Sequence, residues 1–391
     1  MRGISSLALL PLALAAPTFH RRDELVPGKY IVVLSQDFIG AQAALVPEVE
    51  RSQVYDAGSF KGFSAELSDS QVQELENSPQ ANGIAHTTIA DPDEAVNQAL
   101  FVTQSGAPSW GLGRVSHRQL GNEDYTYYRS AGEGTCAYIV DTGVYAEHVE
   151  FEGRATFLAN FATNAPDATT DDNGHGTHVA GTIGSAAYGV AKKTQLYGIK
   201  VLDRGGYGYW SDVIAGIDFA VEDSKNRTNC PKGYVANMSL GGYRNQALND
   251  AVAAAVDAGI FFAVAAGNDG FNADGFSPAS EPKAFTVGAT DSIDNQTAWS
   301  NYGQLVDAFA PGDTINSTYI GGADSWRTLS GTSMATPHVA GLGAYLLSVY
   351  GKASPSALGF RIKGLSTKGA VKNTVPNSGT PNYLVFNGAT F

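Results

Sequence analysis

Ser333, His175 and Asp141 are the residues of this chain whose types and surroundings could do chemistry together. A serine hydroxyl is a weak nucleophile until a base takes its proton. Ser333 lies in Gly331-Thr332-Ser333-Met334-Ala335-Thr336-Pro337-His338, and an apolar run from Val339 to Leu347 follows. The pattern predicts a buried helix over Met334–Tyr350 with Ser333 in its first turn. Free N–H groups and the positive dipole end there favour a developing negative charge. Pro337 suits an early helical position, where amides have no helical partner to lose. His175 opens a small-residue helix in Asp172-Asn173-Gly174-His175-Gly176-Thr177-His178. Asp141 ends the apolar strand Ala137-Tyr138-Ile139-Val140-Asp141. A carboxylate at such a place is costly unless it is paired or solvated.

The chain order Asp141, His175, Ser333 is that of subtilisin and differs from the chymotrypsin and α/β-hydrolase orders. A fourth piece is the strand Ala263-Val264-Ala265-Ala266-Gly267-Asn268. In subtilisin-type sites an Asn amide aimed at the tetrahedral oxygen is an oxyanion donor, worth about 10²–10³ in rate.

With Asn237-Met238-Ser239-Leu240-Gly241-Gly242 and Ser277-Pro278-Ala279-Ser280-Glu281-Pro282 also in order, the chain resembles a fungal subtilase of the proteinase K type over roughly residues 105–391. The resemblance implies a secreted serine endopeptidase with Asp141, His175 and Ser333 as triad and Asn268 in the oxyanion hole. It places two substrate-binding edges at Gly206-Tyr207-Gly208 and Ser239-Leu240-Gly241. A peptide added as a strand between such edges is held mainly by main-chain bonds, so broad specificity follows. Ser239, Leu240, Gly241, Ala266 and Gly267 would line the pocket for the residue before the cut. They carry no fixed charge, which implies a preference for aliphatic or aromatic residues there. The resemblance also implies a structural calcium, matched to the main-chain carbonyls of Pro282 and Ala284 and the carboxylate of Asp307. Calcium prefers such hard oxygen donors. No cofactor is implied for catalysis.

The elements needed to hold these residues are legible as alternation. Strand signals fall at Cys136–Val140, Leu196–Leu202, Tyr234–Leu240, Ile260–Ala265 and Ala284–Ala289. Helical patterns fall at His175–Ser185, Ser211–Ser224, Leu248–Ala258 and Met334–Tyr350. Near-continuous apolar strands between helices predict an α/β fold with a mostly parallel central sheet covered on both faces, and the resemblance implies that this is the three-layer subtilisin-like fold. The candidate site residues then fall at strand ends and helix starts, where open α/β sheets bind ligands.

Length and composition are consistent with one large domain and a small one. The chain has 391 residues, 43% hydrophobic, with 45 glycines and a formal net charge of −13. That charge argues against nucleic acid as a partner. Met1-Arg2-Gly3 and the apolar run Ile4 to Ala16 read as a signal peptide over residues 1–16, because the run is short of the about 20 residues a span needs. No other stretch is long and apolar enough to span, so no membrane association is expected.

Residues 17–100 read as a separate small α+β unit, its end set only to 97–103. Its signals are the strands Lys29–Leu34 and Phe60–Leu67 and a capped helix from Ser68 to Leu75. It resembles the inhibitor-like propeptide of subtilases, which assists folding and blocks the cleft until cut. The catalytic domain is then 101–391, and the mature enzyme is expected to be a monomer acting on polypeptides.

An even pair of cysteines in an exported chain suggests a disulfide. The resemblance places one between Cys136 and Cys230, closing a loop worth roughly 4–5 kcal/mol by chain entropy. Val179 and Phe285 stand where proteinase K-like enzymes carry further cysteines. Of the Asn-x-Ser/Thr triplets, Asn226, Asn295 and Asn316 are glycosylation candidates, while Asn237 falls on a buried strand. His175 and His178, three apart near Asp171 and Asp172, could alternatively bind a metal. An inactive, peptide-binding relative and a narrow processing protease are further readings of the same residues.

Overall fold

The structure is a computed structural model and describes residues 25–34, 51–57, 60–76, 78, 81–88 and 100–389. The signal-peptide reading of residues 1–16 and the expected cut at 97–103 fall largely outside these residues.

The body is a nine-stranded sheet in the order Thr367–Lys368, Tyr383–Leu384, Ala308–Pro311, Phe285–Thr290, Ile260–Ala265, Gly233–Met238, Thr135–Asp141, Gln195–Lys200, Ala155–Asn160. All neighbours are parallel except the Thr367–Lys368 edge strand, which is antiparallel. This is the expected α/β architecture, and alternation along each strand explains it. Ala137 and Ile139 join one core cluster, while Cys136, Tyr138 and Val140 join the other. Phe261 and Ala263 divide from Ile260, Phe262 and Val264 in the same way. Each strand must therefore be covered on both faces.

Helices His175–Gly184 and Thr332–Tyr350 supply Val179, Ile183, Val339, Leu342 and Leu346 to the first cluster. Helices Trp210–Asn226 and Gln246–Asp257 supply Val213, Ile217, Leu248 and Val252 to the second. These side chains are at most 1% exposed, each worth about 1.5–3 kcal/mol of burial. The Ser333 helix starts two residues before the predicted Met334, at Thr332.

The peripheral elements carried weaker signals. Strand Ala155–Asn160 lies at the sheet edge and is not apolar throughout, and the hairpin Ile315–Thr318/Trp326–Leu329 alternates with polar residues. Helix Pro355–Leu365 had a readable start: Ser354 accepts the Ala357 N–H and Pro355 takes the first position.

The N-terminal unit forms its own four-stranded antiparallel sheet, in the order Arg51–Ala57, Phe60–Glu66, Leu25–Leu34, Ala81–Thr88. Its helix is Asp69–Glu76. Ser68 and Gln71 cap it reciprocally: Gln71 N–H donates to Ser68 Oγ at 3.4 Å and Ser68 N–H to Gln71 Oε1 at 2.9 Å. Tyr30, Val32, Phe63, Leu75 and Ile84 form a core separate from those of the large sheet. Among the described residues, no helix is long and apolar enough to cross a membrane.

Candidate active site

Three parallel strands and two helices deliver the site residues to one end of the sheet. Asp141 is the last residue of Thr135–Asp141, Ser239 follows Gly233–Met238, and Asn268 lies three residues beyond Ile260–Ala265. His175 and Ser333 sit in the first turns of their helices. Carboxyl ends of parallel strands face helix amino ends, so acid, base and hydroxyl meet in one crevice.

Asp141 is fully buried, and its Oδ1 accepts the His175 Nδ1–H at 2.8 Å and the Thr142 N–H at 2.7 Å. Because Nδ1 donates, the lone pair of His175 resides on Nε2. The His175 side chain is 25% exposed. Burial pulls its pKa down, but the charge and hydrogen bond of Asp141, with the charge of Asp171, outweigh burial and raise it. The base is therefore stronger than an ordinary imidazole. The acid limb of activity is therefore expected above the ordinary histidine value.

The backbone permits this approach only without a side chain at residue 176. A Cβ on Gly176 would lie 2.1 Å from the carbonyl oxygen of Gly143, so strand end and helix start meet main chain to main chain.

Ser333 is held through Ser239. Ser239 Oγ donates to the Ser333 carbonyl at 2.8 Å and accepts from Asn237 Nδ2 at 2.9 Å. Ser333 Oγ donates to the Ser239 carbonyl at 3.2 Å, and among the described residues it makes no bond to His175. Hydrogen bonds between nucleophile and base commonly tighten only with substrate.

Asn268 is oriented by its own oxygen. Oδ1 accepts the Thr332 N–H at 2.8 Å and the Thr332 hydroxyl at 2.9 Å, which fixes the amide and leaves Nδ2 to point elsewhere. A Cβ built on Gly331 would lie 3.5 Å from Ser333 N and 3.6 Å from Asn268 Nδ2. The two donors thus border one small space beside Ser333, kept open by glycine, which suits a developing oxyanion.

At the expected peptide edges, the Gly206 and Tyr207 N–H groups and the Tyr207 carbonyl are bonded to Asp203 in a local turn. Tyr207 is 77% exposed, and Gly206, Gly208 and Gly241 are exposed. Leu240 is half-buried, and neither Leu240 nor Gly241 makes a main-chain hydrogen bond to another described residue. Ser239 and Ala266 are buried, with Gly267 intermediate.

The sequence of residues 132–388 matches the Subtilase family model. The chain belongs to the subtilase family. A cuticle-degrading protease of Metarhizium anisopliae is 47% identical over 98% of this chain and 98% of its own length. Proteinase T of Parengyodontium album is 53% identical over 74% of this chain and 95% of its own. The crystal structure of a cold adapted subtilisin-like serine proteinase matches at TM-score 0.65 and 41% identity, covering 72% of this chain and 98% of that one. The resemblance to proteinase K-type fungal subtilases is thus shown, and the chain is a subtilisin-type serine endopeptidase.

Outside the crevice, this subtilase has a Cys136–Cys230 disulfide. His178 Nε2 donates to the carbonyls of Ile315 and Arg327, both at 3.0 Å, and burial lowers its pKa to about 3. It is a structural histidine, and among the described residues no group of three His, Cys, Asp or Glu side chains is placed to hold a metal. His338 likewise donates from Nδ1 to the Met334 carbonyl at 2.8 Å, and burial lowers its pKa to about 4.

At the expected calcium position Asp307 Oδ2 accepts the Thr286 N–H at 2.9 Å, and Oδ1 faces Lys363 Nζ at 3.2 Å. Burial raises the Asp307 pKa in spite of Lys363 and the Thr286 amide. The carboxylate is already paired with Lys363, so a divalent cation here would have to displace that ammonium. Lys363, 39% exposed at its side chain, could swing away.

The sequons differ in access. Asn226 is exposed at a helix end, Asn295 and Asn316 are partly buried with both ends of their amides bonded, and Asn237 is fully buried. Sequence reasoning missed the structural part of Asp171, considering it only as a metal neighbour; the threonines at 142 and 177 were the available signal.

Proposed function

We propose that this subtilase is an extracellular endopeptidase of broad specificity, made as a self-processing zymogen, with Asp141, His175 and Ser333 as its triad. The observation that carries the reading is the 2.8 Å Asp141–His175 bond beside a serine whose own N–H borders the same space as Asn268 Nδ2. Ser333 Oγ would attack the scissile carbonyl while His175 Nε2 takes its proton and later returns it to the leaving amine. Asp141 would hold the tautomer and stabilise the imidazolium. Ser333 N–H and Asn268 would bind the oxyanion.

Main chain at 206–208 and 239–241 would bind substrate main chain, and the uncharged lining of Ser239, Leu240, Gly241, Ala266 and Gly267 would favour aliphatic or aromatic side chains before the cut. The N-terminal unit, with its separate core, would act as intramolecular inhibitor and folding aid. A structural calcium would be held by Pro282, Ala284 and Asp307, and a glycan by Asn226 in preference to Asn295 or Asn316.

The test compares wild type with Ser333→Ala for propeptide loss on a gel, fluorophosphonate labelling and casein hydrolysis. Wild type should lose roughly 10 kDa (about 85–100 residues at the usual ~110 Da each), label and digest casein, and Ser333→Ala should do none of these. A folded wild type that neither labels nor cuts after its N-terminal unit is removed would overturn the reading.

A further inference from the structure

A second carboxylate is buried beside Asp141. Asp171 is 3% exposed and forms no ion pair among the described residues. A buried charge without a counter-ion is stable only when hydrogen bonds satisfy it. Its Oδ1 accepts from Thr142 Oγ1 at 2.9 Å, Asn173 N–H at 3.0 Å and Gly174 N–H at 2.9 Å. Its Oδ2 accepts from Thr177 N–H at 2.9 Å and Thr177 Oγ1 at 2.6 Å.

These donors come from two elements. Thr142 adjoins Asp141 at the strand end, whereas Gly174 and Thr177 belong to the start of the His175 helix. The cap residue of that helix, Gly174, has no side chain to cap with. Its φ is +103° and a Cβ there would lie 2.4 Å from the Tyr319 ring. Asp171 performs the cap's task from three residues upstream. The remaining first-turn amides are satisfied too: His175 N–H donates to Asn173 Oδ1 at 3.0 Å and Gly176 N–H to Thr142 Oγ1 at 2.9 Å. Thr142 Oγ1 therefore links the two elements, donating a hydrogen bond to Asp171 and accepting one from the Gly176 N–H of the helix.

We infer that Asp171 is a positioning residue that, through Thr142, fixes the His175 helix against the strand end carrying Asp141. Besides the 2.8 Å Asp141–His175 pair, the Lys200–Asp172 pair and the Tyr145 N–H on Thr177 Oγ1 also tie these pieces, but among the described residues it is Asp171 and Thr142 that bond the Gly174, Gly176 and Thr177 amides at the helix start. The inference rests on the triad assignment above. The charged or titratable groups around His175 are Asp141 on the strand, Asp171 in the loop, His178 one turn on, and the Lys200–Asp172 pair, whose Lys200 Nζ donates to the Thr142 carbonyl. Arg327 stands behind Tyr319. Asp171 thus also adds negative charge near the imidazole.

Asp171→Asn keeps the size but turns an NH₂ toward amide donors and removes the charge. With processed enzyme, freed of its N-terminal unit by added protease if necessary, kcat should fall about 10²-fold with KM within about threefold, and the acid limb should move to lower pH. Thr142→Val removes the linking hydroxyl without a charge change. It should lower kcat about tenfold and leave the acid limb in place, while Thr142→Ser should restore the rate. In the full chain bearing Ser333→Ala, the His175 Nδ1 proton in NMR should exchange faster once Asp171→Asn is added. That readout needs no turnover, so it separates this inference from the triad assignment, which fails instead if wild type does not label. Asp171→Asn with kcat, acid limb and Nδ1 proton unchanged overturns the inference. So does Thr142→Val at full rate, should Asp171→Asn fail to fold.

Discussion

The two halves of the site are held in opposite ways. On the acid–base side, every first-turn amide of the His175 helix has an acceptor and the imidazole is fixed by Asp141. On the nucleophile side, Ser333 N–H and Asn268 Nδ2 make no hydrogen bond to described residues, although the Ser333 carbonyl and Asn268 Oδ1 beside them are held by Ser239 and Thr332. A base must have its orientation before the substrate arrives. Oxyanion donors must lack a partner until the transition state supplies one, because only interactions stronger there than in the ground state raise the rate.

Breaking the acid–base side should have the larger effect. Asp141→Asn leaves the shape but reverses the proton on Nδ1, and kcat should fall about 10⁴-fold in peptide hydrolysis. A loss below tenfold would mean that the tautomer is set elsewhere. On the other side, Asn268→Leu should lower kcat about 10²–10³-fold with KM nearly unchanged, since the amide meets charge only in the transition state. A rise in KM of similar size would place Asn268 in ground-state binding instead.

A smaller effect sharpens the contrast between crevice and scaffold. If calcium sits at Asp307, chelation should lower Tm by on the order of 5 °C while kcat of the still-folded enzyme holds. Lys363→Met should widen that difference, because the competing ammonium is gone. A Tm indifferent to chelation in both proteins would remove calcium from this site.

The catalytic candidates were legible because each lies on a short local signal: an acid ending an apolar strand, a histidine opening a small-residue helix, a serine before an apolar helix. The central strands were legible for a related reason, being apolar on both faces. Ala155–Asn160 and the Ile315–Leu329 hairpin were not, since half-exposed or four-residue strands have little pattern to show. Asp171 was visible as a residue but not as a hub, because its donors at 142 and 177 meet only after strand and helix pack. The bond of the Ser333 hydroxyl to the Ser239 carbonyl and the upward pKa of His175 are likewise products of packing that composition cannot carry.

The rate of fluorophosphonate labelling against pH, in free processed enzyme, tests the central claim most directly. His175 must be neutral to take the Ser333 proton, and its pKa is raised, so labelling should fall as pH drops through a single midpoint above 6.5. The label should map to Ser333 and be absent from Ser333→Ala. Labelling that stays flat from about pH 8 to about pH 5, or a label on another serine, would contradict a base pre-set by Asp141.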